Sequence, residues 1–124
     1  MQAVISYEIP SQNKRDHWHW SQRHRDTKRA ETALRVQASS IPRAKGPRKI
    51  CVTAYRKVRC ADIANLIGGA KGLVDALVRV GLLIDDKDAC ASIFYEQFTC
   101  SQMPPDVHDW TKGRPCTVIR IEDL

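Results

Sequence analysis

Apolar residues recur along this chain at two different periods, and a fold that packs helices on a sheet satisfies both. Over residues 3–9 the period is two: Ala3, Ile5, Tyr7 and Ile9 share one side, and Val4, Ser6 and Glu8 the other. A strand points successive side chains to opposite faces, so this pattern predicts a half-buried strand, closed by Pro10. The alternation returns over 49–57, where Ile50, Val52 and Ala54 oppose Cys51, Thr53 and Tyr55. It returns again over 91–99, where Ile93, Tyr95 and Gln97 oppose Phe94, Glu96 and Phe98, and residues 116–121 read as a final strand.

Between these segments the spacing becomes helical. Over 65–80, Leu66, Ala70, Leu73, Val74 and Leu77 line one face, and Gly81 is placed to end the helix. Gly68 and Gly69 weaken it by about 1 kcal/mol each relative to Ala and allow another backbone to come close. Residues 14–38 hold neither Gly nor Pro and are rich in Arg, Lys, Gln and Ala. They predict a helix starting near Trp18, with a very basic outer face and a partial apolar stripe of Trp20, Ala30, Ala33, Leu34 and Val36. Residues 39–47 form a loop, and 100–115, with three prolines and a glycine, predict a long mobile loop. The expected order is β-α-β-α-β-β. It describes an α+β fold in which a small mixed or antiparallel sheet carries two main helices, as one domain over residues 1–124.

Composition narrows the class further. No run of about 18 apolar residues exists, and the first residues lack a basic stretch followed by an apolar one. The expectation is a cytoplasmic protein with no membrane partner. The five cysteines are odd in number and show no C-x-x-C spacing, so reduced thiols are expected rather than disulfides or a zinc knuckle. His17, His19 and His24 have no cysteine near them in the sequence, and no zinc site is expected there. The net charge of +6 is unevenly spread. Residues 1–59 carry 14 Lys/Arg against 4 Asp/Glu, and residues 60–124 carry 6 against 10. Such a split suggests one face for a polyanion and one place for a cation.

The acidic half holds a constellation around the second helix: Asp62, Asn65, Lys71, Asp75, Asp85 and Asp86. Carboxylates in a basic protein are candidate ligands for Mg²⁺, which takes oxygen donors and lets phosphate oxygens complete its shell. Each residue also has an ordinary role. Asp62 can cap the helix, Asp85-Asp86 can make a turn, and Lys71 and Asp75 can lie on a solvated face.

The segments Arg59-Cys60-Ala61-Asp62-Ile63-Ala64-Asn65-Leu66, Ala70-Lys71, Val74-Asp75-Ala76-Leu77, Gly81-Leu82 and Asp85-Asp86 resemble the RusA family of crossover junction endodeoxyribonucleases. The preceding strand, the opening Ile9-Pro10-Ser11-Gln12-Asn13 and the terminal strand fit the same pattern. The resemblance implies a RusA-like fold and Mg²⁺-dependent (or Mn²⁺-dependent) hydrolysis of four-way (Holliday) junction DNA by a homodimer. It implies Asp62, Asp86 and Asp85 as metal ligands. Lys71 would stabilise charge on the scissile phosphate, and Asn65 would bond to a carboxylate or a phosphate. Ala64 departs from the family, which has a second Asp there. Cleavage by the remaining acids and junction binding with weak or no cleavage are both open, and a basic RNA-binding domain is the remaining alternative.

For DNA contacts, Arg15, Arg23, Arg25, Lys28 and Arg29 on the basic helix are candidates for phosphate binding. Arg56, Lys57 and Arg59 lead into the acidic segment and are candidates for holding the cleaved strand. Trp18 and Trp20 are expected mainly in the core, because tryptophans are largely buried, with base stacking as the alternative.

Overall fold

All four alternating segments become strands of one sheet. The computed structural model describes every residue, Met1–Leu124. The strands are β1 (Gln2–Ile5), β2 (Arg48–Arg56), β3 (Ala91–Thr99) and β4 (Cys116–Asp123), in the spatial order β1-β4-β2-β3. β4 runs antiparallel to both neighbours, whereas β2 and β3 are parallel, so the sheet is mixed and the fold is α+β. A parallel pair needs a crossover, and α3 (Ile63–Gly69) with α4 (Lys71–Arg79) supplies it.

The predicted faces hold. Ile50, Val52 and Ala54 of β2 point into the main core, together with Ile119 and Ile121 of β4 and Ile5 of β1. Leu34 of α2 (Trp20–Gln37), Leu66 of α3 and Leu73 and Leu77 of α4 close over them. Each such leucine contributes roughly 1.5–3 kcal/mol through burial. Tyr55, Cys116 and Val118 face the other way, where Val107 covers them.

Four local expectations need correction. The helix expected to start near Trp18 begins at Trp20 as α2, but residues 14–16, read together with it, belong to a separate short helix, α1 (Gln12–Asp16), capped by Ser11. His19 is extended and caps α2, and its backbone N–H is taken by Gln22. The side chains at this corner supply the caps that let the chain bend there. The helix expected over 65–80 is interrupted at Ala70, which joins α3 to α4. A side chain at Gly69 would strike the Pro10 carbonyl, so this glycine is what lets α3 lie against the start of α1. The segment 100–115 is ordered rather than a loop throughout. It makes a 3₁₀ turn over Cys100–Gln102 and a helix, α5 (Pro105–Thr111). Pro105 sits in the first turn of α5, where a missing N–H costs nothing, so a pair of prolines here starts a helix. Finally, β1 stops at Ile5, because the Tyr7 N–H turns back to the Ile5 carbonyl (2.8 Å), yet Tyr7 and Ile9 stay buried as the alternation predicts.

Gly81 does end α4, at φ +81°. The Leu82 N–H reaches the Leu77 carbonyl (2.9 Å) and the Gly81 N–H reaches the Val78 carbonyl (3.1 Å), the paired bonds of a Schellman cap. The cysteines are all free thiols, and burial pushes the Cys116 thiol up to about 11. No helix is long and apolar enough to cross a membrane.

Candidate nucleic-acid interface

The basic helix does not spread its cations evenly. Lys14 of α1 and Arg25, Lys28 and Arg29 of α2 line one cavity of about 810 Å³, and Arg56 at the end of β2 joins them. Lys28 also approaches Glu31 at 3.6 Å, so its charge is shared. Four of the predicted DNA-binding residues therefore meet in one place. Lys14 was missed by sequence reasoning; it lies on α1, and Trp18 follows just beyond the end of that helix.

The two tryptophans correct another expectation. Neither lies in the core. Trp20 is 72% exposed at the start of α2. Trp18, half-buried between the helices, lines the cavity, and the Lys14 ammonium lies 5.9 Å from its ring centroid, within cation–π range.

Beneath the cations lies a buried polar pair that the sequence did not announce. The Tyr7 hydroxyl donates to both oxygens of Asp26, at 2.9 and 3.0 Å. Burial raises the Asp26 carboxyl above its ordinary value, while the Tyr7 hydrogen bond and the Arg15 charge pull it down. Burial likewise drives the Tyr7 phenol far above its ordinary value, with the Asp26 charge adding to it. The phenol therefore remains a neutral donor. The signal for this pair was Tyr7 on the buried face of its strand, since a buried hydroxyl requires a partner.

Arg15 is a correction. It is 8% exposed, with its Nε 3.6 Å from Asp26 Oδ2, and its guanidinium balances the buried carboxylate instead of facing phosphate. Arg23 is also engaged locally. Its Nε donates to the Arg15 carbonyl and its Nη2 to the Asp16 carbonyl, closing the end of α1. Arg56 donates to the Ile9 and Val58 carbonyls, which fixes its guanidinium at the cavity edge. Lys57 is exposed and its backbone N–H donates to Glu8 Oε2 at 2.9 Å. Arg59 is exposed on the same connecting segment.

Asp62 sits at this same end of the sheet. Gln97 of β3 clamps Cys60, donating to its carbonyl and accepting from its N–H. Burial raises the Cys60 thiol above its ordinary value; the Arg56 charge lowers it, and the Asp62 and Glu8 charges raise it. Asp62 is exposed and caps α3, its Oδ1 accepting from the Asn65 N–H at 2.7 Å. Asn65 in turn accepts from the Asn13 N–H at 3.1 Å, tying α3 to α1. Both residues thus have the structural roles that helix ends call for.

Asp85 and Asp86 lie elsewhere. They follow α4 and feed the beginning of β3, whereas Asp62 follows the end of β2. Because β2 and β3 are parallel, these are opposite ends of the crossover. Gln97 and Ala91 mark the two ends on β3, about 20 Å apart at the rise of a strand. The Asp85 carboxyl lies below the ordinary carboxylate range, held there by its Asp86 neighbour, whose backbone N–H donates to Asp85 Oδ1 at 2.7 Å, and by the Lys87 charge. Lys71 begins α4, with all of α3 between it and Asp62, about 10 Å of helix. Asp75 is half-buried on α4. One chain therefore does not gather Asp62, Asp85 and Asp86, and no group of three His, Cys, Asp or Glu side chains is arranged to hold a metal ion.

No protein-family model matches the chain, and no curated protein sequence matches it.

Proposed function

We propose that the chain binds four-way junction DNA, gripping backbone phosphate in the cationic cavity between α1, α2 and the end of β2, and that it is a junction endonuclease. The observation that carries this reading is the convergence of Lys14, Arg25, Lys28, Arg29 and Arg56 on one cavity. Two of these cations are held in place. Lys14 lies against Trp18, and Arg56 is bonded to two carbonyls. Cations held at fixed spacing suit a regular row of phosphates. The resemblance of 59–86 to crossover junction endonucleases supports the choice of junction DNA as the substrate.

Binding has more support than cutting. The three acids expected to share Mg²⁺ do not fit one centre within a chain, and Ala64 offers no oxygen. Of these three acids, Asp62, exposed on the segment that follows the end of β2, is the one on the cavity's side of the crossover. A cleavage site would rest on Asp62 and on whatever a second copy or the DNA itself adds.

The test is incubation with a labelled four-way junction and with linear duplex, with Mg²⁺ and with EDTA. The expected outcome is junction binding at least tenfold tighter than duplex binding, with any cutting lost in EDTA. Equal affinity for the two DNAs would remove the junction reading. Preference for a matched RNA stem-loop would favour the RNA-binding alternative.

A further inference from the structure

The cavity has more than phosphate-binding cations. Its volume, about 810 Å³, lies in the range of small-ligand sites. One wall is an indole, that of Trp18. Its floor includes the fixed Tyr7–Asp26 pair, and Glu8 and Ser6 add further polar groups. Cations and an aromatic wall around a polar floor match the three parts of a nucleotide: phosphate, base face and base edge. A paired base inside a duplex presents no face to stack on, so the matching ligand is an unpaired one.

From these features we infer that the cavity is a binding pocket for an unpaired nucleotide of single-stranded DNA. Trp18 stacks on the base, and Arg25 and Arg29 take the flanking phosphates. Lys14, against the indole, holds the ring in its orientation. Arg15 and Tyr7 act below as positioning residues. Arg15 balances the charge of Asp26, which is 4% exposed, and the Tyr7 hydroxyl holds it by hydrogen bonds, so that the floor keeps its shape. The inference deepens the junction reading, since the branch point of a junction is where bases lose their stacking partners. It also stands apart from that reading, because single-stranded DNA alone is sufficient ligand.

The test uses the full chain and a ten-residue oligothymidylate, which has weak self-stacking. Indole fluorescence reads the contact, since a base stacked on tryptophan quenches it. The expected result is quenching of the wild type and about tenfold weaker binding by Trp18→Leu. Trp18→Phe should restore most of the affinity, and Trp110→Phe, which changes a residue of α5 outside the cavity, should leave binding unchanged. Circular dichroism verifies that each variant is folded. Wild-type affinity in folded Trp18→Leu, or equal binding of a blunt duplex by the wild type, would overturn the pocket. Junction binding measured beside it separates the two readings. Oligothymidylate binding without junction preference keeps the pocket and removes the junction role, and junction preference untouched by Trp18→Leu does the reverse.

Discussion

At the scale of single residues, the decisive facts are what each side chain already touches. Ala64 shows this. An Asp there would add an oxygen near Asp62 only if both lay on extended chain, where positions two apart share a side. Position 64 instead lies in the first turn of α3, after the extended Asp62 cap, so the two side chains diverge. Ala64→Asp is therefore predicted to leave any Mg²⁺ requirement unchanged in a metal titration on junction DNA. It should instead stabilise the start of α3 by about 0.3–1 kcal/mol, read from urea midpoints, because a carboxylate favours a helix N-terminus. Asp26 gives a pH-dependent prediction. Burial raises its folded pKa above the ordinary 3.8, so the native state holds the proton more tightly than the unfolded chain. That contribution to stability is complete below about pH 3.8 and is lost as pH rises through the raised value. Asp26→Asn cannot titrate. Its stability relative to wild type should therefore improve steadily as pH rises from 3.5 towards neutrality, in urea melts at matched ionic strength. A pH-independent difference would show that Asp26 is not strained by its burial.

At the scale of elements, close approach matters more than propensity. The two glycines of α3 look like weak points in a helix, and Gly68 does face only the flexible side chain of Gln12. Gly69 meets a backbone carbonyl, which cannot swing away. Gly69→Ala is predicted to cost about 2 kcal/mol or more as α1 and α3 are forced apart, against a gain of up to about 1 kcal/mol from helix propensity. Gly46→Ala, at a position with open space around it, is the control, and thermal unfolding of the pair decides the matter. The elements themselves were mostly legible, for a physical reason. A strand buried on one face, such as β3, must alternate, and a helix packed on a sheet, such as α4, must repeat at helical spacing. The break at Ala70 was not legible, because it goes with the close approach of a distant carbonyl to Gly69 rather than with local apolar pattern. α5 was hidden by its own start signal, since Pro104-Pro105 reads as a loop unless a helix is already suspected.

At the scale of the whole molecule, charge decides what the surface can hold. The net charge is +6, and five cations, Lys14, Arg25, Lys28, Arg29 and Arg56, line the cavity at the end of β2 beside α1 and α2. Binding there should be strongly salt-dependent, through release of counterions from the DNA. Arg25→Ala and Arg29→Ala should each lower the slope of log K against log salt by about one, whereas Arg23→Ala, which removes a local clasp, should not. Filter binding from 50 to 200 mM salt, roughly the range in which such contacts fade, gives the three slopes. The sequence by itself determined the periods of its strands and helices, the sign and distribution of its charge, and the absence of any long apolar span. These are properties of neighbouring residues, and local sterics and burial act on them directly. Only the tertiary structure decided which distant residues meet. Pairing β2 and β3 in parallel sent Asp62 to one end of the crossover and Asp85-Asp86 to the other. Packing α1 against α2 took Arg15 from the surface to Asp26 and brought Trp18 to the wall of a cationic cavity. Strand direction and helix packing are settled by contacts between residues far apart in the chain, and no local pattern records them.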